Sequence, residues 1–307
     1  VTNLKFTGTV RRMIPKDWER MVAFFADRHE DQRSDVFEFL DGAHSERDYW
    51  IALDDSENCS GILVFDKKES RLPRIKLISD DFSVVTCLLE TAIKLLHDRK
   101  GAAIFIAARR DDVKMQDTIK ACGFSELFET HENLFFAYIE PCEHLILHDL
   151  YKKHDDYEIR RILPEDRPLI YDFFRAMGET STGFFNRNHG NENGVYDYLD
   201  GKLPDRTYWM AVKKDNGKEI CLGIVFICIK FTKLPGFGIA VRDGYHGMHI
   251  GTNLIEFVKE VCRANHCGGI MLTTAFTNEK GQRLYEHRGF QRSGIQCGEW
   301  FYICPLK

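Results

Sequence analysis

The sequence predicts an α+β fold built twice, each copy a mixed, mostly antiparallel sheet flanked by helices. Three observations predict it. The chain has 307 residues, about twice the length of an ordinary domain. It also repeats itself: "TVRRMIPKDWERMVAFFAD" (9–27) matches "EIRRILPEDRPLIYDFFRA" (158–176), with Arg11, Arg12, Pro15, Asp17, Phe24 and Phe25 falling on Arg160, Arg161, Pro164, Asp166, Phe173 and Phe174. Further on, "YWIALDDSENCSGILVF" (49–65) matches "YWMAVKKDNGKEICLGIVF" (208–226), and "KACGF" (120–124) matches "EHRGF" (286–290), in the same order. Finally, each copy passes from strand-like runs to helix-like stripes and back, the pattern of a sheet with helical crossovers. The polar stretch 141–156 reads as a linker, so the copies are expected at 1–141 and 156–307.

The second copy shows the order of elements best. "RRILPED" is extended, and its Pro and Asp signal a helix start; Leu169, Ile170, Phe173, Phe174 and Met177 then recur at helical spacing. A polar stretch, 179–200, follows. Next come the strands "YWMAVKK", "CLGIVFICIKF" and "FGIAV", the first two joined by "KDNGK", a hairpin turn. After a glycine-containing turn, "TNLIEFVKEVCRAN" forms an amphipathic helix with Leu254, Ile255, Val258 and Val261 on one side. The strand "GIMLTTAF", the helix "EKGQRLYEHR", a "GF" break and the strand "EWFYICPL" complete the copy.

Composition excludes several classes. A hydrophobic content of 44% and a charged content of 29% are those of a globular chain, and a net charge of -5 argues against an obligatory surface for nucleic acid or an anionic membrane, leaving room only for a local basic patch. No run approaches the roughly 20 apolar residues of a membrane span, and "VTNLKFTGTVRRM" has no signal-peptide order, so a cytoplasmic location is expected. The ten cysteines are scattered and free of any CxxC, the pattern of reduced core thiols. Cys142, His144, His148 and His154 come nearest to a metal set, but no acidic or cysteine partner completes it, and no metal is expected.

Chemistry concentrates in "VRDGYHGMHIGTNLIEF" (241–257). A strand end feeding a glycine turn and then a helix start aims free N–H groups and the positive end of the helix dipole at one point, which suits phosphate or pyrophosphate. The spacing fits neither the dinucleotide GxGxxG pattern nor the phosphate loop with its Gly-Lys-Ser/Thr.

The segments "IAVRDGYHGMHIGTNLIEF" and "TTAFTNEKGQRLYEHRGF" resemble the two signature blocks of the GNAT superfamily of N-acetyltransferases. Val241 matches the strand's last valine, Gly251 the last glycine of the Arg/Gln-x-x-Gly-x-Gly/Ala turn, Asn278 the asparagine, Tyr285 the tyrosine and Gly289-Phe290 the closing pair. His246 replaces the usual Arg or Gln, and His249 the first glycine. The resemblance implies acetyl-CoA as co-substrate. Its pantetheine would lie beside Ile239 and Val241 on a strand splayed from its neighbour, with Asn278 hydrogen-bonding it or the chain near it; otherwise Asn278 reads as a turn or N-cap residue ahead of "EKGQRLY". Its diphosphate would meet amides of residues 246–252, among them His246, Gly247, Met248, His249, Gly251 and Thr252.

The resemblance further implies direct transfer of the acetyl group to an amine, with Tyr285 as the acid for the departing thiolate. Residues 179–200 lie where the family builds its acceptor pocket. No strand glutamate supplies the usual base; Glu179 and Glu299 are the remaining carboxylate candidates, each otherwise expected to be solvated. The expected partner is a small-molecule or protein amine, with no nucleic acid and no membrane. In the first copy, "IKLISDDFSVV" has no glycine and places Asp80-Asp81 where the diphosphate would sit, and Ile119 stands at the tyrosine position, so the coenzyme A site is expected to be lost there. Two other readings remain: a non-catalytic acyl-CoA-binding or scaffold protein, and a tandem-fold aminoacyl transferase using charged tRNA, which would need a basic groove.

Overall fold

The computed structural model describes residues 5–306 apart from 27, 29–32, 43–45, 67–70, 143–149, 186–190 and 230. The chain divides into two units, Val1–Ile139 and Glu140–Lys307. The first contains β1 (Thr9–Arg12), α1 (Trp18–Phe24), α2 (Arg33–Leu40), β2 (Arg47–Leu53), β3 (Cys59–Asp66), β4 (Arg74–Ile78), α3 (Phe82–Asp98), β5 (Ala103–Arg109), α4 (Val113–Ala121), β6 (Ser125–Glu129) and β7 (Asn133–Ile139). Its strand order is β1-β2-β3-β4-β5-β7-β6, antiparallel except where β4 meets β5. One face packs on α3 through Val85, Leu88, Leu89 and Ala92; the other carries Met21, Phe24, Phe25 and Val36 of the α1–α2 layer.

The second unit contains β8 (Lys152–Lys153), β9 (Glu158–Arg161), α5 (Arg167–Arg175), α6 (Glu179–Phe185), α7 (Glu192–Leu199), β10 (Thr207–Asp215), β11 (Lys218–Cys228), β12 (Gly236–Val241), α8 (Ile250–Ala264), β13 (Gly269–Thr274), α9 (Glu279–His287), β14 (Gln291–Gln296) and β15 (Glu299–Pro305). Its strands run β8-β9-β10-β11-β12-β13-β15-β14, with β12/β13 the parallel pair. The α+β class, with a mixed and mostly antiparallel sheet between helices, is therefore present in each unit.

Local chemistry explains these elements. Asn216 and Gly217 both adopt positive φ, 49° and 78°, the geometry of a two-residue turn whose twist matches the β10–β11 hairpin. In α8 the predicted stripe of Leu254, Ile255, Val258 and Val261 is buried against the sheet, and Ile170 and Phe173 of α5 are buried on the opposite face. Strand alternation sends Trp209, Val225 and Phe237 to the α8 face and Tyr208, Ile224 and Ala240 to the α5 face.

The repeat extends to individual hydrogen bonds within each unit. Arg11 donates to Asp17 at 2.6 and 2.8 Å, and Arg160 to Asp166 at 2.7 and 2.8 Å. The Asp17 carboxylate takes the Ile14 N–H and that of Asp166 takes the Leu163 N–H, at 2.9 and 2.8 Å. Cys59 and Cys221 donate to the carbonyls of Gly61 and Gly223, each at 3.6 Å. Gln116 Nε2 caps the carbonyls of Arg109 and Arg110 as Gln282 Nε2 caps those of Ala275 and Phe276.

Several expectations need correction. The division falls between residues 139 and 140, ahead of the expected linker, because Cys142 and Lys233 donate backbone hydrogen bonds to the carbonyls of Phe231 and Glu140 and Cys142 is buried. The predicted strand 221–231 ends at Cys228, where Ile229 at φ 55° turns the chain out of the ladder. The polar stretch 179–200 contains α6 and α7, and β14 precedes the final strand.

Candidate functional site

The feature that organises the second unit is a split in its sheet. β12 and β13 pair at Gly236↔Met271, where the Met271 N–H donates to the Pro235 carbonyl at 3.0 Å. Beyond that rung the two strands pair no further, while β12 stays fully paired to β11 from Gly236 to Val241. A strand's backbone groups alternate between its two edges. Because Pro235 faces β13 and Arg242 donates to Leu222 on the β11 side, the backbone groups of Ile239 and Val241 face the open edge. Their side chains pack on the α8 side of the sheet.

Residues 242–249 connect β12 to α8. Gly244 and Gly247 adopt positive φ, 85° and 82°, and so does His249 at 59°, directly before the helix. His246, Gly247, Met248 and His249 are exposed, Gly251 is buried and Thr252 half-buried. His249 provides no side-chain cap, and among the described residues none of the N–H groups from His246 to Thr252 donates to another group of the chain. A run of free amides at the start of a 15-residue helix is a ready anion receptor. Gly251 sits in close quarters: a Cβ there would lie 3.2 Å from Leu284 Cδ2 and 3.5 Å from Val241 Cγ2. The helix start thus sits close against both the split strand and α9.

Two neighbours tie this loop to the helices on the other face. Arg242 pairs with Asp172 of α5 at 2.7 Å, and the Asp243 carboxylate accepts from the Gly178 N–H at 2.6 Å and from Ser181 Oγ at 2.7 Å. Those two donors hold the Asp243 carboxyl below its ordinary range. Asp243 was not singled out in the sequence, where "RDG" reads only as a turn; its partners lie over 60 positions away.

Tyr285 lies on α9, buried, with its ring against Phe290 (5.8 Å between centroids), Phe237 and Tyr302 (6.2 Å each). Phe237 belongs to β12, so the tyrosine stands beside the rung where the split begins. Burial, followed by the neighbouring Tyr302, pushes the Tyr285 hydroxyl above its usual pKa, and no hydrogen bond to it is made among the described residues. It remains a neutral donor throughout the neutral range.

Asn278 is the N-cap of α9: its side chain accepts from the Gly281 N–H at 3.1 Å and donates to Thr274 Oγ1 at 3.0 Å. Glu179 is exposed at the start of α6, as a solvated carboxylate would be. Glu299 is not: it is buried at the start of β15, where it pairs with Gln296 of β14. Of the histidine and cysteine set, His144 and His148 lie outside the described residues; Cys142 is buried, and burial first, then Lys152, lowers the pKa of His154. Among the described residues no group of three or more such side chains could hold a metal ion, and no helix is long and apolar enough to cross a membrane.

The first unit has the same place differently furnished. Only residues 79–81 join β4 to α3, and Asp81 caps the helix, its carboxylate accepting from the Ser83 N–H and Oγ at 2.7 Å each. Asp80 pairs with Arg28 at 2.7 Å, and Ile119 is fully buried at the position matching Tyr285. A carboxylate already occupies the amides that α8 leaves free.

Comparison with known proteins points to one family. The model described as the acetyltransferase (GNAT) family matches residues 170–290. Over 103 residues the chain is 30% identical to N-alpha-acetyltransferase 30 of Saccharomyces cerevisiae, a match covering 32% of this chain and 58% of that protein. The chain therefore spans less than two thirds of that relative's length. Similar solved structures include the GNAT domain of S. lividans PAT (15% identity, 49% of this chain and 90% of that one, TM-score 0.42). Another is the PaiA N-acetyltransferase from Thermoplasma acidophilum, in complex with coenzyme A (14% identity, 48% and 98%, TM-score 0.40). Residues 170–290 are thus similar to the acetyltransferase (GNAT) family, and the relative matched in sequence is an acetyltransferase.

Proposed function

We propose that the second unit transfers an acetyl group from acetyl-CoA directly to an amine, and that the first unit keeps the plan of the fold without a coenzyme A site. The single observation that carries this reading is the run of free N–H groups from His246 to Thr252 at the mouth of the β12/β13 split. Those residues suit a diphosphate, and the backbone edge at Ile239 and Val241 suits an extended amide-bearing arm. Asn278, committed to capping α9, would border that arm.

When bound, the co-substrate provides an activated acetyl thioester. The chain's part is to hold it still, exclude water and move a proton. An N–H on the open edge of β12 polarises the thioester carbonyl. The amine nitrogen bonds to the carbonyl carbon as the C–S bond breaks, Tyr285 gives its proton to the sulfur, and the amine's surplus proton passes through water back to the Tyr285 oxygen. A neutral, buried tyrosine with an unengaged hydroxyl suits that role. The name of the yeast relative makes an α-amine the first acceptor to try. The test is acetyl-CoA binding followed by thiol release with a panel of amines and peptides. Binding with turnover is expected; binding with no turnover on any amine favours a scaffold, and no binding refutes both.

A further inference from the structure

We infer that Asp243 is a positioning residue that locks the start of α6 onto the loop 242–249, so that acetyl-CoA on the loop and an acceptor against residues 178–185 bind interdependently. This rests on the reading of the loop as the co-substrate site. Both oxygens of the carboxylate are engaged: Oδ2 accepts from the Gly178 N–H at 2.6 Å, and Oδ1 from Ser181 Oγ at 2.7 Å. The approach is so close that a Cβ on residue 178 would lie 3.1 Å from Oδ2. His246 Nδ1 lies 3.8 Å from Oδ1, so one carboxylate contacts the loop's own anion-facing residue and the α6 segment together.

The preceding residue doubles the tie, since Arg242 reaches Asp172 of α5 at 2.7 Å. A negative charge beside a diphosphate weakens its binding, so a carboxylate at this place needs another use. Its hydrogen bonds to residues 178 and 181 provide one. Charge-assisted hydrogen bonds to backbone and hydroxyl are among the stronger polar contacts, and losing two of them frees the segment that lies across from the split strand.

The experiment follows backbone hydrogen exchange of residues 178–185 in the full chain, with and without acetyl-CoA, in wild type, Asp243→Ala and Ser181→Ala. In wild type, acetyl-CoA is expected to slow exchange there by ~10-fold. In Asp243→Ala the slowing disappears although acetyl-CoA still binds, and the acceptor KM rises by ~5-fold or more with a smaller change in kcat. Ser181→Ala, which keeps the Gly178 bond, should lie between them and serves if the first variant does not fold. Equal slowing in wild type and variants overturns the inference while leaving the co-substrate reading intact. Failure of acetyl-CoA to bind the wild-type chain overturns both.

Discussion

Tyr285→Phe separates chemistry from architecture, because the hydroxyl it removes is the only part of the side chain the fold does not use. The ring contacts with Phe237, Phe290 and Tyr302 survive the substitution unchanged. The side chain is buried but its hydroxyl makes no hydrogen bond among the described residues, so its removal costs the fold no contact. Stability should stay level or rise by up to ~1 kcal/mol. A general acid contributes ~10²–10⁴ in rate, so kcat should fall at least ~100-fold, about 2.7 kcal/mol on the barrier. Acetyl-CoA affinity should change little. The assay pairs thermal unfolding with amine-dependent thiol release on the same preparation. A variant that keeps kcat within ~3-fold would refute the acid assignment, and one that loses several kcal/mol of stability would show the hydroxyl to be structural.

The other predictions concern the same neighbourhood. His249→Gly removes a left-handed residue with a side chain and should raise stability by ~1 kcal/mol, with acetyl-CoA bound at least as tightly; a loss of stability in urea unfolding would count against strain at φ 59°. Asn278→Ala deletes both the Gly281 acceptor and the Thr274 donor contact and should cost ~1–2 kcal/mol, read as a lower urea midpoint at unchanged slope. Alkaline titration tests the buried tyrosine. Its folded pKa is raised above the ordinary 10.0, so its share of stability is complete below pH 10 and declines as pH rises towards the folded value, while activity shows no alkaline limb from this group below pH 10. Melting temperatures between pH 8 and 11 check this, and Tyr285→Phe should flatten the decline.

Much of the fold was legible because it rests on local chemistry. "DNG" dictates a turn that only positive φ satisfies, and Leu254, Ile255, Val258 and Val261 can share a face only on a helix. The internal repeat carried the rest, since Arg160–Asp166 and Gln282 reproduce the bonds of Arg11–Asp17 and Gln116. What escaped depends on distant partners. β14 has few apolar residues and is held by pairing with β15, while α6 and α7 are polar helices held by tertiary packing, with Phe185 and Val195 in the core. Burial of Glu299 follows from tertiary packing around the start of β15, and the Asp243 tether from a fold that brings residues 178 and 243 together.

The central claim is that one anion-receptive helix start, at His246–Thr252, takes acetyl-CoA, and that its counterpart at Asp80-Asp81 does not. Calorimetric titration of the full chain with acetyl-CoA tests it most directly. One molecule bound per chain, with binding abolished when Gly251 is replaced by a bulky residue and untouched by Ser83→Ala at the other helix start, is the predicted result. Two bound molecules, or one that survives the loss of Gly251, would contradict it.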